Sequence, residues 1–217
     1  AEDAIFRGGY KGPLHGVPLA FKDHLPIADV PCTFGTNLLA NNIPSQDCAM
    51  VEKLRSAGAI FLGTLCLTEF AGSSFLYPGG IPRNPWNQTR TPGGSSSGSG
   101  VAVAAGMCAG ALGSDGGGSI RMPSSFCGIV GLRPTLGRIS RHGVLGAGGS
   151  MMVSGPMTRT VEDNALMLQV LAGYDPRDNY SANIPVPDYR SHLTGDIQGL
   201  KIGIVNEFLE SPTTVPD

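Results

Sequence analysis

Two segments concentrate the residue types that could do chemistry. The first reads Gly93-Gly94-Ser95-Ser96-Ser97-Gly98-Ser99-Gly100, and after an apolar stretch the second reads Gly113-Ser114-Asp115-Gly116-Gly117-Gly118-Ser119-Ile120-Arg121. A glycine–serine tract is ordinarily a flexible linker. A linker joins separable units, however, and this one runs straight into an apolar helix-like run and a second glycine cluster that must pack near it. Three consecutive glycines ahead of a serine also have a chemical use. They let the backbone turn tightly and aim successive N–H groups at one point, which is how an oxyanion hole is built.

Other chemistries lack their residues. There is no Gly-x-x-x-x-Gly-Lys-Ser/Thr for a phosphate loop, no Gly-x-Gly-x-x-Gly after a strand for a dinucleotide, and no Ser-x-x-Lys. His15, His24, His142 and His192 have no His-x-x-x-His spacing, so zinc lacks its usual ligands. Cys32, Cys48, Cys66, Cys108 and Cys127 form no Cys-x-x-Cys pair and are odd in number, which predicts reduced thiols in a cytoplasmic protein over disulfides or a metal site. Gly94-Ser95-Ser96-Ser97-Gly98 does fit the Gly-x-Ser-x-Gly nucleophile elbow of α/β-hydrolases. That esterase reading needs an acid and then a histidine downstream; His142 and His192 are available, and no local context selects either.

The elements that must position these residues alternate between strand and helix. Val17 to Phe21 suits a buried strand after Pro13 and Gly16. Asp47 is expected to cap a helix that buries Met50, Val51, Leu54 and Ala57 and ends at Gly58, followed by a strand from Ala59 to Leu62. Val101 to Cys108 reads as a small-residue helix and Ala109 to Gly113 as a short apolar element entering the glycine turn. Thr160 caps a further helix with Glu162 and Asp163 in its first turn and Ala165, Leu166, Leu168 and Leu171 on its buried side. Residues 175 to 199 are rich in Pro, Asp, Asn and Ser and read as a connecting segment, after which Leu200 to Val205 resumes as a buried strand. This alternation predicts an α/β layered architecture with parallel strands covered on both sides.

Composition agrees with a packed enzyme-sized core. The 217 residues are 41% hydrophobic and 15% charged, with 15 basic against 17 acidic side chains. No basic surface is available for nucleic acid and no apolar run is long enough to span a membrane. Glycine at 32 residues, without a collagen-like period, says that backbone conformation matters. The chain begins on Ala1 and its last segment, Pro212 to Asp217, stops just after a strand-like run, which suggests a longer chain with its terminal parts missing, here a single domain over 1–217.

Taken together, Gly93-Gly94-Ser95-Ser96 through Arg121 and the upstream Gly16-Val17-Pro18-Leu19-Ala20-Phe21-Lys22-Asp23 resemble the amidase signature family. Asn84-Pro85-Trp86, the run Phe126 to Thr135 and the run Gly155 to Asp163 also match its pattern, so the resemblance covers Gly12 to Gly173. It implies a central mixed β-sheet covered by α-helices on both sides, incomplete here, and a Ser-cisSer-Lys hydrolase of carboxylic amides. Residue by residue it places the nucleophile at Ser119, the bridging serine after a cis peptide at Ser95, and the base at Lys22. Ser119 follows Ser95 by 24 residues and Lys22 by 97, which suits the family. Gly116, Gly117, Gly118 and Ser119 supply the implied oxyanion N–H groups, and Gly116 stands where a bulkier residue is common. Thr64-Leu65-Cys66-Leu67-Thr68-Glu69-Phe70 departs from the family's usual sequence in a segment expected to lie away from the triad.

The implied roles have physical requirements. A free lysine, with pKa near ~10.4, is protonated at neutral pH, so Lys22 must be desolvated to act as a base; the alternative is a surface lysine paired with Asp23. Ser95 would pass the proton between Ser119 and Lys22 and return it to the leaving amine. Asp115 and Arg121 hold the loop or are solvated charges, and Ser96 is a supporting hydrogen-bonding residue. Asn84, Trp86 and Cys127 are expected to pack or cap. Met151-Met152-Val153 stands where the family's amidotransferase members carry a more polar stretch, and it lines the acyl pocket or packs in the core. The leading reading is an amidase acting on a small-molecule amide without metal or organic cofactor. Its rivals are an α/β-hydrolase-like esterase, a noncatalytic scaffold and the A-type subunit of a glutamine-dependent amidotransferase. A homo-oligomer is compatible with all of them.

Overall fold

The computed structural model describes residues 1–72, 80–146 and 149–209; Pro212 to Asp217 lies outside them. In chain order its elements are α1 (Glu2–Phe6), β1 (Pro18–Lys22), α2 (Ala49–Ser56), β2 (Ile60–Leu65), α3 (Ser97–Ala104), β3 (Gly110–Asp115), α4 (Arg121–Cys127), β4 (Val130–Gly131), β5 (Val153–Thr158), α5 (Val161–Leu171) and α6 (Asn206–Leu209). Five strands form one sheet in the order β2-β1-β3-β5-β4. β1 is parallel to both β2 and β3, whereas β5 runs antiparallel to β3 and β4, so the sheet is mixed. This is the mixed sheet that the family resemblance implies; the strand–helix alternation read by itself, which favours parallel strands, misses β5 because Gly155 and Pro156 are weak strand formers and mask it in the sequence.

Period-two alternation sorts the strand side chains onto two faces. Leu19, Phe21 and Leu112 pack with Met50, Val51 and Leu54 of α2 and Met167, Leu168 and Leu171 of α5. Burying each such side chain is worth about 1.5–3 kcal/mol. On the other face Ala20 and Ala111 meet Ala102 and Val103 of α3. Small residues here let a helix approach the sheet closely, and α4 packs on α3 in turn.

The glycine–serine tract is the start of α3, four residues ahead of the expected Val101, and it is packed. A Cβ at Gly98 would lie 2.6 Å from the Cys66 amide nitrogen, and one at Gly100 would lie 3.1 Å from Pro123 Cβ in α4. Serine hydroxyls satisfy themselves on nearby backbone: Ser97 Oγ donates to Gly93 O at 2.7 Å and Ser99 Oγ to Leu112 O at 3.0 Å.

Two local expectations need adjustment. Cys48, not Asp47, occupies the cap position of α2. Asp47 instead accepts from the Ala28 amide and from Arg55 Nε, because a carboxylate one residue upstream reaches a neighbouring loop and the last turn. Leu200 to Val205 forms no strand; Ile202 and Ile204 are exposed, since no neighbouring strand among the described residues pairs with them. Thr160 caps α5 as expected, its hydroxyl accepting from the Asp163 amide at 3.1 Å. All five cysteines are free and all but Cys66 are buried. Among the described residues no helix is long and apolar enough to cross a membrane.

Candidate active site

The parallel pairing of β1 with β3 brings their carboxyl ends side by side, where ligands are commonly bound in open α/β sheets. Lys22 ends β1 and is fully buried. Its Nζ donates to Ser95 Oγ at 2.7 Å and to Ser114 Oγ at 2.9 Å. Burial pulls its ammonium down to about 7, against the opposing pull of the Asp115 charge. The surface pairing with Asp23 does not occur, because Asp23 turns to Thr33 and accepts from its amide and hydroxyl.

Ser95 follows a cis Gly94–Ser95 peptide just ahead of α3. Ser96 is buried and stitches three pieces together. Its amide donates to Ser119 O at 3.2 Å, its Oγ donates to Ser114 O, and the Ser114 amide donates back to that Oγ. A serine so enclosed is not the exposed nucleophile that an elbow motif presents, which removes the structural basis of the Gly-x-Ser-x-Gly reading. The histidines agree: His192 is exposed on the connecting segment, and neither it nor His142 lines the cavity that holds Ser119.

Asp115, at the end of β3, is fully buried and organises the turn that follows. Its carboxylate accepts from the amides of Gly118, Ile120 and Arg121 at 2.7, 3.1 and 3.3 Å, and from Arg121 Nε and Nη2 at 3.0 Å each. Arg133 Nε lies 3.5 Å away. Burial alone would raise this carboxyl, but the Arg121 guanidinium and the three amides outweigh it and hold it down at about 2. Both charges are therefore paired within the loop, and the solvated-charge alternative for Asp115 does not hold.

One oxyanion candidate is lost by the same geometry. The Gly118 N–H is committed to Asp115, so it cannot face a substrate. Among the described residues the N–H groups of Gly116, Gly117 and Ser119 donate to no protein acceptor. Gly118 has φ +129, a conformation that L side chains rarely adopt, and it aims the chain past Met122.

Ser119 is partly exposed and lines a cavity of about 410 Å³ together with Thr68, Gly94, Ser95, Gly117 and Met122. Among the described residues no charged side chain lines it. Ser119 Oγ and Ser95 Oγ are not hydrogen-bonded to each other, so of the relay only the Ser95–Lys22 link is formed here. Thr68 places the Thr64 to Phe70 segment on the cavity wall, nearer than expected, because the chain after β2 runs along the start of α3.

Asn84 and Trp86 cap α4: Asn84 Nδ2 donates to Phe126 O at 2.8 Å and Trp86 Nε1 to Cys127 O at 2.7 Å. Cys127 is buried beneath Pro92, its thiol reaching Pro92 O. Sequence reasoning missed Ser114 and His24. Ser114 is picked out only by the β1–β3 register. His24 stacks on Phe34, fully buried, and burial together with the neighbouring Lys22 charge pushes its imidazole well below the ordinary histidine range.

Known proteins share this sequence and fold. The A subunit of the Carboxydothermus hydrogenoformans glutamyl-tRNA(Gln) amidotransferase is 52% identical over 209 residues, which are 95% of this chain and 43% of that protein. The peptide amidase of Stenotrophomonas maltophilia superposes with a TM-score of 0.82 at 38% identity, over 88% of this chain and 41% of that one. The A subunit of the Thermotoga maritima glutamyl-tRNA(Gln) amidotransferase superposes with a TM-score of 0.75 at 38% identity, over 80% and 40%. The chain thus spans less than half the length of these relatives. The family model described as Amidase matches residues 1–216, and with the mixed sheet and its two helical layers in place the chain belongs to the amidase family.

Proposed function

We propose that the protein cleaves a carboxylic amide at its C–N bond through an acyl intermediate on Ser119. The observation that carries this reading is Lys22: fully buried, bonded to two serine hydroxyls, its ammonium lowered to about 7, and linked through Ser95 to the cavity that Ser119 enters. A neutral Lys22 takes the Ser95 proton while Ser95 takes that of Ser119, and the Ser119 oxygen bonds to the amide carbon. Charge builds on the carbonyl oxygen, where the free N–H groups of Gly116, Gly117 and Ser119 are the available donors. The C–N bond breaks as Lys22 returns its proton through Ser95 to the departing nitrogen, releasing ammonia or an amine. Water, deprotonated by the same relay, then splits the Ser119 ester to give the acid. Ser114 Oγ holds the lysine in place throughout.

A second reading, the glutamine-cleaving component of an amidotransferase, is favoured by the curated relatives. Ammonia delivered to a partner protein in a transamidation assay distinguishes it from free hydrolysis. The common chemistry is tested by treating the full-length protein with a fluorophosphonate probe. Peptide mapping is expected to find the adduct on Ser119 and to lose it in Ser119→Ala; an adduct on Ser96, or none, refutes the mechanism and, in the second case, revives the scaffold reading.

A further inference from the structure

Lys22 and Asp23 are consecutive and both buried, yet their side chains turn to different tasks. Lys22 bonds to Ser95 and Ser114, whereas the Asp23 carboxylate accepts from the Thr33 amide at 3.0 Å and from the Thr33 hydroxyl. The Asp23 backbone carbonyl accepts from the Phe34 amide at 2.8 Å. Asp23 thus grips two successive residues, one with its side chain and one with its main chain. The Thr33 hydroxyl accepts in turn from the Gly35 amide at 3.2 Å, which closes the Thr33–Gly35 turn.

That turn carries one wall of the Ser119 cavity. Phe34 O accepts from the Phe70 amide at 3.0 Å, and the Phe34 ring is held between His24 and Phe70, with centroids 5.5 Å from each. A Cβ on Gly35 would stand 2.9 Å from Leu67 O and 3.3 Å from the Glu69 Cα, so the two chain segments touch along their backbones. Thr68, Ala71 and Gly72, on either side of Phe70, line the cavity together with Ser119. The Thr68 hydroxyl donates to Gly72 O at 2.6 Å and the Ala71 amide to Thr68 O at 2.9 Å, which makes this wall a closed loop. Phe34, Phe70 and Ala71 have φ of 52, 49 and 58, left-handed values uncommon outside glycine. Such conformations persist where the surroundings over-determine them, and they cluster at active sites and ligand clamps. The Asp23–Thr33 bonds hold one end of this run and the Thr68–Gly72 bond holds the other.

Resting on the Ser119 reading above, we infer that Asp23 is a positioning residue for substrate binding: through Thr33 and Phe34 it fixes the Thr68–Gly72 wall of the Ser119 cavity. Its hydrogen bonds to Thr33 are of the strong, charge-assisted class. Without them the Thr33–Gly35 turn relaxes and the wall moves with it. The base and its relay do not pass through Thr33, so binding weakens while the chemical step keeps its rate.

The test follows labelling of Ser119 in the full-length protein by octyl fluorophosphonate across probe concentration and pH, which separates the half-saturating concentration from the limiting rate. Asp23→Ala is expected to raise the half-saturating concentration about tenfold, and Asp23→Asn, which keeps one acceptor oxygen, about threefold. The limiting rate should stay within about twofold of wild type, with its pH midpoint unmoved. Partial misfolding lowers the yield of adduct and leaves both constants as they are. If Asp23→Ala does not fold, Thr33→Val carries the same expected rise, and Thr33→Ser is expected to restore the wild-type value. An unchanged half-saturating concentration overturns the inference and leaves the Ser119 reading intact. A loss confined to the limiting rate, or a shifted pH midpoint, also overturns it, because Asp23 would then act on the Lys22 base. Failure of wild-type Ser119 to react with the probe overturns both.

Discussion

The two faces of the sheet are built from the same strands under opposite rules. Beneath α2 and α5 the strands offer Leu19, Phe21 and Leu112, bulky and apolar, to matching bulk. Toward α3 and the turn after β3 they offer Ala20, Ala111 and Lys22, small or polar, and the helix answers with glycine and serine. The first face gains free energy from burial. The second gives some up, because it removes an amine and a carboxylate from water and leaves three N–H groups of the turn without protein partners among the described residues. Stability and chemistry are thus separated by one strand's thickness, and substitutions on the two faces should divide accordingly.

The largest effect expected is from Ser119→Ala, which should lower amide hydrolysis by roughly four to six orders of magnitude with the thermal midpoint little changed. Hydrolysis surviving within tenfold of wild type would break the division on the chemical side.

Lys22→Met should slow acylation by about 10²–10⁴-fold and abolish the pH limb. In the wild type that limb should rise with a midpoint of about 7, since the neutral amine is the active form. The substitution should move stability the other way, raising it where it lowers the rate. The folded protein holds Lys22 with a lowered pKa, so it binds fewer protons than the unfolded chain between about 7 and 10.5, and wild-type stability gains with rising pH across that window. Below it the penalty is fully present, so Lys22→Met should be the more stable protein by a few kcal/mol at pH 6, measured by denaturant melts. A less stable variant at pH 6 would contradict a desolvated, costly lysine.

Asp115→Asn straddles the division. The buried carboxylate accepts from the amides of Gly118, Ile120 and Arg121, and weakening these charge-assisted hydrogen bonds should cost about 1.5–3 kcal/mol, the Arg121 partner being itself exposed. The loosened turn should also cost kcat about tenfold or more, comparable with a damaged oxyanion hole, with KM less affected. On the apolar face Leu54→Ala should cost about 2–5 kcal/mol by cavity formation. Acylation by the fraction that remains folded should be unchanged, and a drop in kcat there would show that the faces are coupled.

Much of the fold was legible because its signals are local. The β1–α2–β2 unit, the Thr160 cap and the small-residue helix follow from patterning and capping, with ends displaced by a few residues. β5 was not legible because glycine and proline hide a strand that exists only through its pairing with β3. In the site, the family resemblance is what points to Lys22, Ser95 and Ser119, while Ser114 depends on register and the commitment of the Gly118 amide depends on where the Asp115 carboxylate turns. Leu200 to Val205 carried a strand's apolar pattern without a strand's neighbour.

The tight seat of α3 has a genetic consequence. Every missense change of a glycine codon adds at least a Cβ. At Gly98 that atom would fall 2.6 Å from the backbone of Cys66, which is not the end of a side chain that can swing away. No replacement there is conservative, and alleles altered at this codon should behave as losses of function whichever amino acid they encode. Glycines in the open, such as Gly8 and Gly195, should tolerate alleles far more readily despite their positive φ, because no described atoms crowd the added carbon.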